Sequence, residues 1–173
     1  MTHHHTLATA ADASRFVLAG DAVLTLTSRV TGQRYTYSVV AAKDRGKRTE
    51  HPTLYFVSLL SGPDNDADYT YIGSLRITLA GPRFDLTQKS RLPADAKPIA
   101  AFRFFVQRVL AAGVMPPLLE VRHEGRCGRC GRRLTVPESI DTGLGTECAD
   151  RLGVPWQTST APLADRLAQR LAA

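Results

Sequence analysis

The side chains best suited to chemistry lie in one short stretch. His123, Cys127, Cys130 and Cys148 read as H-x3-C-x2-C-x17-C, and these are the only three cysteines in the chain. A CxxCG turn brings two thiolates to one point, and its glycines let backbone N–H groups face sulfur. Seventeen residues separate Cys130 from Cys148, enough for a short hairpin and a return. His123 supplies the fourth ligand in this reading, giving a Cys3His site with the tetrahedral N/S coordination of structural Zn2+. Glu124, Asp141, Glu147 and Asp150 are weaker candidates, because structural zinc favours sulfur and nitrogen. The competing reading is a cluster of free thiols beside a solvated histidine.

Catalytic alternatives fit less well. Three protein ligands plus water would make a reactive metal site, but three thiolates make an electron-rich ion and a poor Lewis acid. Nucleobase deaminases use H-x-E followed by P-C-x-x-C, and neither the spacing nor the order in HEGRCGRC matches. Thioredoxin-type redox chemistry places its CxxC where a strand opens into a helix. GRCGRCGRR is too rich in glycine for that role. The chain also lacks a nucleophile–base pattern, a P-loop and a dinucleotide fingerprint. SGPDNDAD, with Asp64, Asn65, Asp66 and Asp68, lacks the glycine and distal glutamate of a calcium loop and reads as a tight acidic turn.

The elements around the cysteines follow from pattern. LLEVRH (118–123) reads as a strand that delivers the chain to the first ligand, and TECADRLG reads as a helix start carrying Cys148. Knuckle, hairpin and ligand-bearing helix together predict a treble-clef zinc module, with the helix dipole favouring a thiolate at Cys148. Upstream, AVLTLTS (22–28), RYTYSVVA (34–41), TLYFVSLL (53–60) and YTYIGSLRITL (69–79) predict four strands, the last bent at Gly73. Phe16 to Leu18 reads as the beginning of the first strand. IAAFRFFVQRVLAAG predicts a helix, with Pro98 in its first turn and Gly113 as its cap. The fold class is therefore α+β: an antiparallel meander covered by one helix, a small zinc module and a C-terminal helix. The expected organisation is a mobile tail over 1–14, an α+β domain over 15–113, a zinc-binding module over 114–155 and a helix over 156–173. That last helix carries Leu163, Leu167 and Leu171 on one stripe. His3, His4 and His5 fall in the tail and carry little weight as ligands.

Charge points to partners. The chain has 173 residues and a net charge of +6. Lys43, Arg45, Lys47 and Arg48 form one basic cluster. Arg126, Arg129, Arg132 and Arg133, with Arg122 nearby, form a second one around the cysteines. Basic patches suit a nucleic-acid backbone or an acidic protein. The second cluster also has a simpler use, offsetting the negative charge of three thiolates on one Zn2+. Tyr35 with Tyr37, and Tyr69 with Tyr71, each share one face of a strand. Such pairs suit stacking on bases and equally suit a core-facing aromatic ladder. No apolar run approaches the length of a membrane span, and three cysteines in this pattern predict a reducing, cytoplasmic setting. No small-molecule substrate is expected.

CGRCGRRLTVPESIDTGLGTECA resembles the C-terminal zinc-binding module of a family of uncharacterised phage and prophage proteins, a domain of unknown function. Its CxxCGR-LT-PxS turn and G-x-G-x-x-C return fall on Cys127, Cys130, Gly131, Arg132, Leu134, Thr135, Pro137, Ser139, Gly143, Gly145 and Cys148. Thr146 stands where that pattern usually has proline. TGQRYTY and SLLSGPDNDADYTYIGS are similar to the N-terminal halves of longer members, so the resemblance extends over most of residues 16–150. It implies a phage context, a metal and no particular reaction. The function expected is a non-enzymatic phage or mobile-element accessory protein that binds nucleic acid. The alternative is a module that binds and inhibits a host defence or transcription complex.

Overall fold

The computed structural model describes residues 5–48 and 51–154. The helix expected over 156–173 lies outside them, as do His3 and His4. Six strands, β1 (Asp21–Ser28), β2 (Arg34–Ala41), β3 (Leu54–Leu60), β4 (Tyr69–Thr78), β5 (Gly81–Asp85) and β6 (Leu119–His123), form one antiparallel sheet in the order β5-β4-β3-β2-β1-β6. The first five follow one another as a meander. The sixth returns to the free edge of β1, pairing His123 with Leu24 and Leu119 with Ser28. The fold is α+β.

Alternation sets the two faces of the sheet. Ala22, Leu24 and Leu26 of β1, Tyr37 and Val39 of β2, and Tyr55, Val57 and Leu59 of β3 turn inward. They meet helix α1 (Ala10–Val17) and helix α2 (Lys97–Phe105), which continues as a π-helical turn over Val106–Ala111. There the N–H of Ala112 reaches back to the carbonyl of Gln107, the wider ring that defines such a turn. Tyrosine hydroxyls tie the layers together. Tyr37 donates to the carbonyl of Pro98 at 2.8 Å, and Tyr55 donates to that of Leu18 at 2.8 Å. β4 bulges opposite Val57 and Ser58. Gly73 is needed there because a Cβ would stand 2.6 Å from the carbonyl oxygen of Asp85.

Several expectations are corrected here. The stretch expected as a tail carries regular structure, because α1 begins at Ala10. The Thr9 side chain accepts the N–H of Asp12 at 3.1 Å and caps α1. Residues 5–7 run beside β6, where Leu7 donates its N–H to Val121. Phe16 closes α1 rather than opening a strand. Two helices, not one, cover the inner face. β5 is an additional strand.

Beyond β6 the chain forms the cysteine turn, helix α3 (Pro137–Thr142) and helix α4 (Thr146–Arg151). Helix α3 stands where a hairpin is expected. The only strand-like pairing there, among the described residues, is a single bridge between Arg126 and Arg133. A second, smaller apolar cluster gathers Ala19, Cys127, Leu134, Leu144 and Ala149. No helix among the described residues is long and apolar enough to cross a membrane.

Candidate metal centre and its cationic surroundings

The turn that holds the first two thiols is built by backbone. Gly131, at φ +74°, adopts the left-handed conformation that glycine takes readily. Its N–H donates to the Cys127 carbonyl, and the Cys127 N–H donates to the carbonyl of Arg132. Cys148 arrives from the other side on the first turn of α4. The sulfur atoms of Cys127, Cys130 and Cys148 then lie within 4.8 Å of one another. Zn–S bonds of about 2.3 Å in a tetrahedron put sulfurs about 3.8 Å apart, so the cluster closes on an ion with little movement.

The donor set fits a metal in its electrostatics as well. Cys127 is buried, and burial alone disfavours its thiolate. The backbone N–H groups of Gly145, Arg129 and Cys130 outweigh that cost, helped by the Cys130 thiol, and hold the Cys127 thiol below its usual range. The Gly145 N–H lies 3.3 Å from the sulfur. Cys148 behaves oppositely. Burial and the sulfurs of Cys127 and Cys130 push it up to about 12, overriding the helix dipole expected to favour its thiolate. Three sulfurs converging without a cation repel one another's negative charge, and a bound cation reverses that effect.

His123 is not brought into the cluster. Among the described residues, no fourth His, Cys, Asp or Glu joins the three sulfurs at that spacing. Both ring nitrogens of His123 are already used. The Gly125 N–H donates to Nδ1 at 3.0 Å, and Nε2 lies 2.7 Å from the Ile140 carbonyl. That pairing requires the neutral ring with its proton on Nε2. The ring is 4% exposed and stacks on His5, with centroids 5.1 Å apart. The expectation of a Cys3His site is corrected: burial on the core face of β6 turns this histidine toward backbone.

The cationic residues are partly gathered. Asp44 and Lys47 exchange backbone hydrogen bonds, and Arg45 and Gly46 between them have φ of 47° and 79°. The basic segment is thus a tight two-residue hairpin turn. The Arg48 guanidinium donates to the Arg129 carbonyl, inside the cysteine turn, and lies 3.3 Å from the Asp21 carboxylate. Lys43 and Arg48 thus line one cleft with Arg129, a residue 81 positions from Arg48 in sequence. Arg126 pairs with Glu124 at 3.7 Å. Arg132 and Arg133 are exposed and make no ion pair among the described residues.

The tyrosines divide. Tyr37 is fully buried against Phe102, with centroids 4.9 Å apart, and Tyr35 packs on the same core. Both belong to the core-facing ladder. Tyr71 meets the half-exposed Phe56 on the other face. Tyr69 is half-buried, and its hydroxyl is shifted upward by burial and by the carboxylates of Glu124 and Asp66. That is an acidic neighbourhood, unlike the basic turn.

Three contributors to the site are absent from the motif pattern. Asp21 pins Arg48. The Gly145 N–H supports Cys127. Phe16 of α1 packs on Gly128 and Gly143, where an added Cβ would come within 2.7 Å and 2.4 Å of its ring. Only the last had a readable cue, the Thr9–Asp12 cap that starts α1.

Residues 118–153 match a family model described as "Family of unknown function (DUF6011)". The matched stretch runs from β6 through α4 and includes all three cysteines. It agrees with the resemblance of the cysteine segment to a family of unknown function. Neither the curated proteins nor the solved structures give a match.

Proposed function

We propose that Cys127, Cys130 and Cys148 hold a structural Zn2+ and that the cationic surface beside them binds the phosphate backbone of nucleic acid, with no catalytic step. Zinc, when bound, supplies a cross-link between the cysteine turn and α4. The observation that supports the nucleic-acid reading is that Lys43 and Arg48 of the 43–48 segment line one cleft with Arg129 of the cysteine turn. Arg45 and Lys47 belong to the same short hairpin. Offsetting the charge of three thiolates does not require the distant hairpin, which carries no metal-ligand chemistry. The resemblance of residues 127–148 to a module of phage and prophage proteins supports a role as a phage or mobile-element accessory factor. Tyr35 and Tyr37 take no part in this reading.

Two measurements test it. Purified protein is expected to carry about one zinc per chain, and Cys130→Ser or Cys148→Ser to lose it. Zinc-free protein with residues 118–153 fully ordered overturns the metal assignment. In titrations of single- and double-stranded DNA and RNA, each phosphate neutralised adds about 0.7–0.9 to the slope of log affinity against log salt. Removing the charges of Lys43, Arg45, Lys47 and Arg48 together is expected to flatten that slope by about 3. Absence of binding at low salt to every one of these polymers overturns the nucleic-acid reading and leaves a protein partner as its successor.

A further inference from the structure

A cavity of about 220 Å3 opens between the 43–48 turn and the cysteine turn. Lys43, Arg48 and Arg129 line it, with Asp21 as its one acid, and the rest of the lining is small or apolar: Ala19, Gly20, Val40, Ala41 and Ala42. We propose that this cavity is a phosphate subsite on the nucleic-acid path, with Asp21 holding the place of the anion until a phosphate displaces it. The inference rests on the nucleic-acid reading above and names where one phosphate sits.

Three observations support it. Three basic residues and one acidic residue line the cavity, and a concave wall bearing one sign of charge in excess concentrates its field on an entering anion. The Arg48–Asp21 pair is exposed enough to exchange, with side-chain exposures of 51% and 36%, and exposed pairs are held weakly. Arg48 spends donors on Asp21 and on the Arg129 carbonyl, and a guanidinium has five, so N–H groups remain for a phosphate oxygen. Size selects the ligand. Pockets for drug-sized molecules run from about 300 Å3 upward. This one admits a phosphate with part of its sugar, not a nucleotide with its base.

The test uses zinc-loaded full-length protein, a short oligothymidylate and, separately, inorganic phosphate. Asp21→Asn removes the competing charge without changing side-chain size. It is expected to tighten oligonucleotide binding about two- to fivefold, the range an exposed ion pair commands. Arg48→Ala is expected to weaken binding, to lower the salt slope by about 0.7–0.9, and to cancel the gain when combined with Asp21→Asn. Inorganic phosphate is expected to shift the backbone amide signals of Gly20, Ala41 and Ala42. If Asp21→Asn and Arg48→Ala leave oligonucleotide affinity unchanged while an Arg132→Ala/Arg133→Ala variant weakens it, the subsite is overturned and the nucleic-acid reading stands. If no oligonucleotide binds but phosphate shifts these amides and Arg48→Ala abolishes the shifts, the subsite stands for small phosphate esters and the nucleic-acid reading falls.

Discussion

The buried imidazole of His123 shows how one side chain can satisfy a metal-ligand pattern and serve another purpose. It accepts from Gly125 and donates to Ile140, and so joins the end of β6 to the end of α3. His123→Ala leaves both backbone groups unpaired, at a cost of about 1–3 kcal/mol for each that stays buried, while zinc content is expected to stay near one per chain. Loss of zinc from this variant would return His123 to the ligand set. The same residue gives a pH dependence with a defined sign. Burial lowers its folded pKa from the ordinary 6.5, and His5 lowers it further, against the Ile140 carbonyl, which raises it. As pH falls below about 6.5 the unfolded chain takes up the proton first, so stability is full above that pH and declines below it. Urea titrations in saturating zinc are expected to show this decline in the wild type and a smaller one in His123→Ala. Equal slopes would remove His123 as the cause. The thiol cluster was legible because CxxCG and the returning Cys148 fix it locally. The fate of His123 was not, because H-x3-C spacing says nothing about which face of a strand the histidine takes.

At the scale of elements, the inner face of β2 is fastened to α2 through Tyr37. Its ring packs on Phe102 and its hydroxyl meets Pro98. Tyr37→Phe keeps the packing and removes the bond, so the expected loss is about 1 kcal/mol, with an unchanged denaturant slope and unchanged nucleic-acid affinity of the folded protein. A fall in affinity at constant stability would put this ring on the binding surface after all. The strands of the meander were readable because each alternates or fills with β-branched and aromatic residues. β5 was not, since Gly81 and Pro82 in GPRFD suppress strand propensity, and proline is tolerated only because β5 is an edge strand. Helix α1 hides its inner face in alanines, with Phe16 and Val17 alone marking it. Helix α3 is six residues of mostly polar character opening on Pro137, indistinguishable by pattern from a loop. The π-helical turn keeps the apolar spacing of an ordinary helix and so leaves no trace in the sequence.

At the scale of the whole molecule, the cysteine turn is built into the sheet rather than attached to it. β6 is both the edge of the sheet and the strand that leads into the turn. The Asp21 N–H at the start of β1 donates to the Gly128 carbonyl at 2.6 Å, and the Gly128 N–H donates to Gly143 at 2.9 Å. Phe16 stands between these glycines and the His123 ring, 5.2 Å from the latter. On the proposed zinc reading, withdrawing the metal should therefore be felt throughout the sheet. Metal in hundredfold excess over its dissociation constant adds roughly 2.7 kcal/mol to the stability of whatever unfolds with the site. For a chain of this size that is a shift of roughly 5–10 °C in Tm. The expected outcome is a single transition, followed by the far-ultraviolet signal of the sheet, that moves down by this amount when a chelator strips the zinc. Phe16→Ala empties the seam, at a cost of about 3–5 kcal/mol, and is expected to shrink the chelator shift of the sheet by uncoupling the two parts. A sheet that melts at the same temperature with and without metal would mean that the seam transmits nothing, and that the arginines of the cysteine turn and the 43–48 hairpin respond to the metal independently.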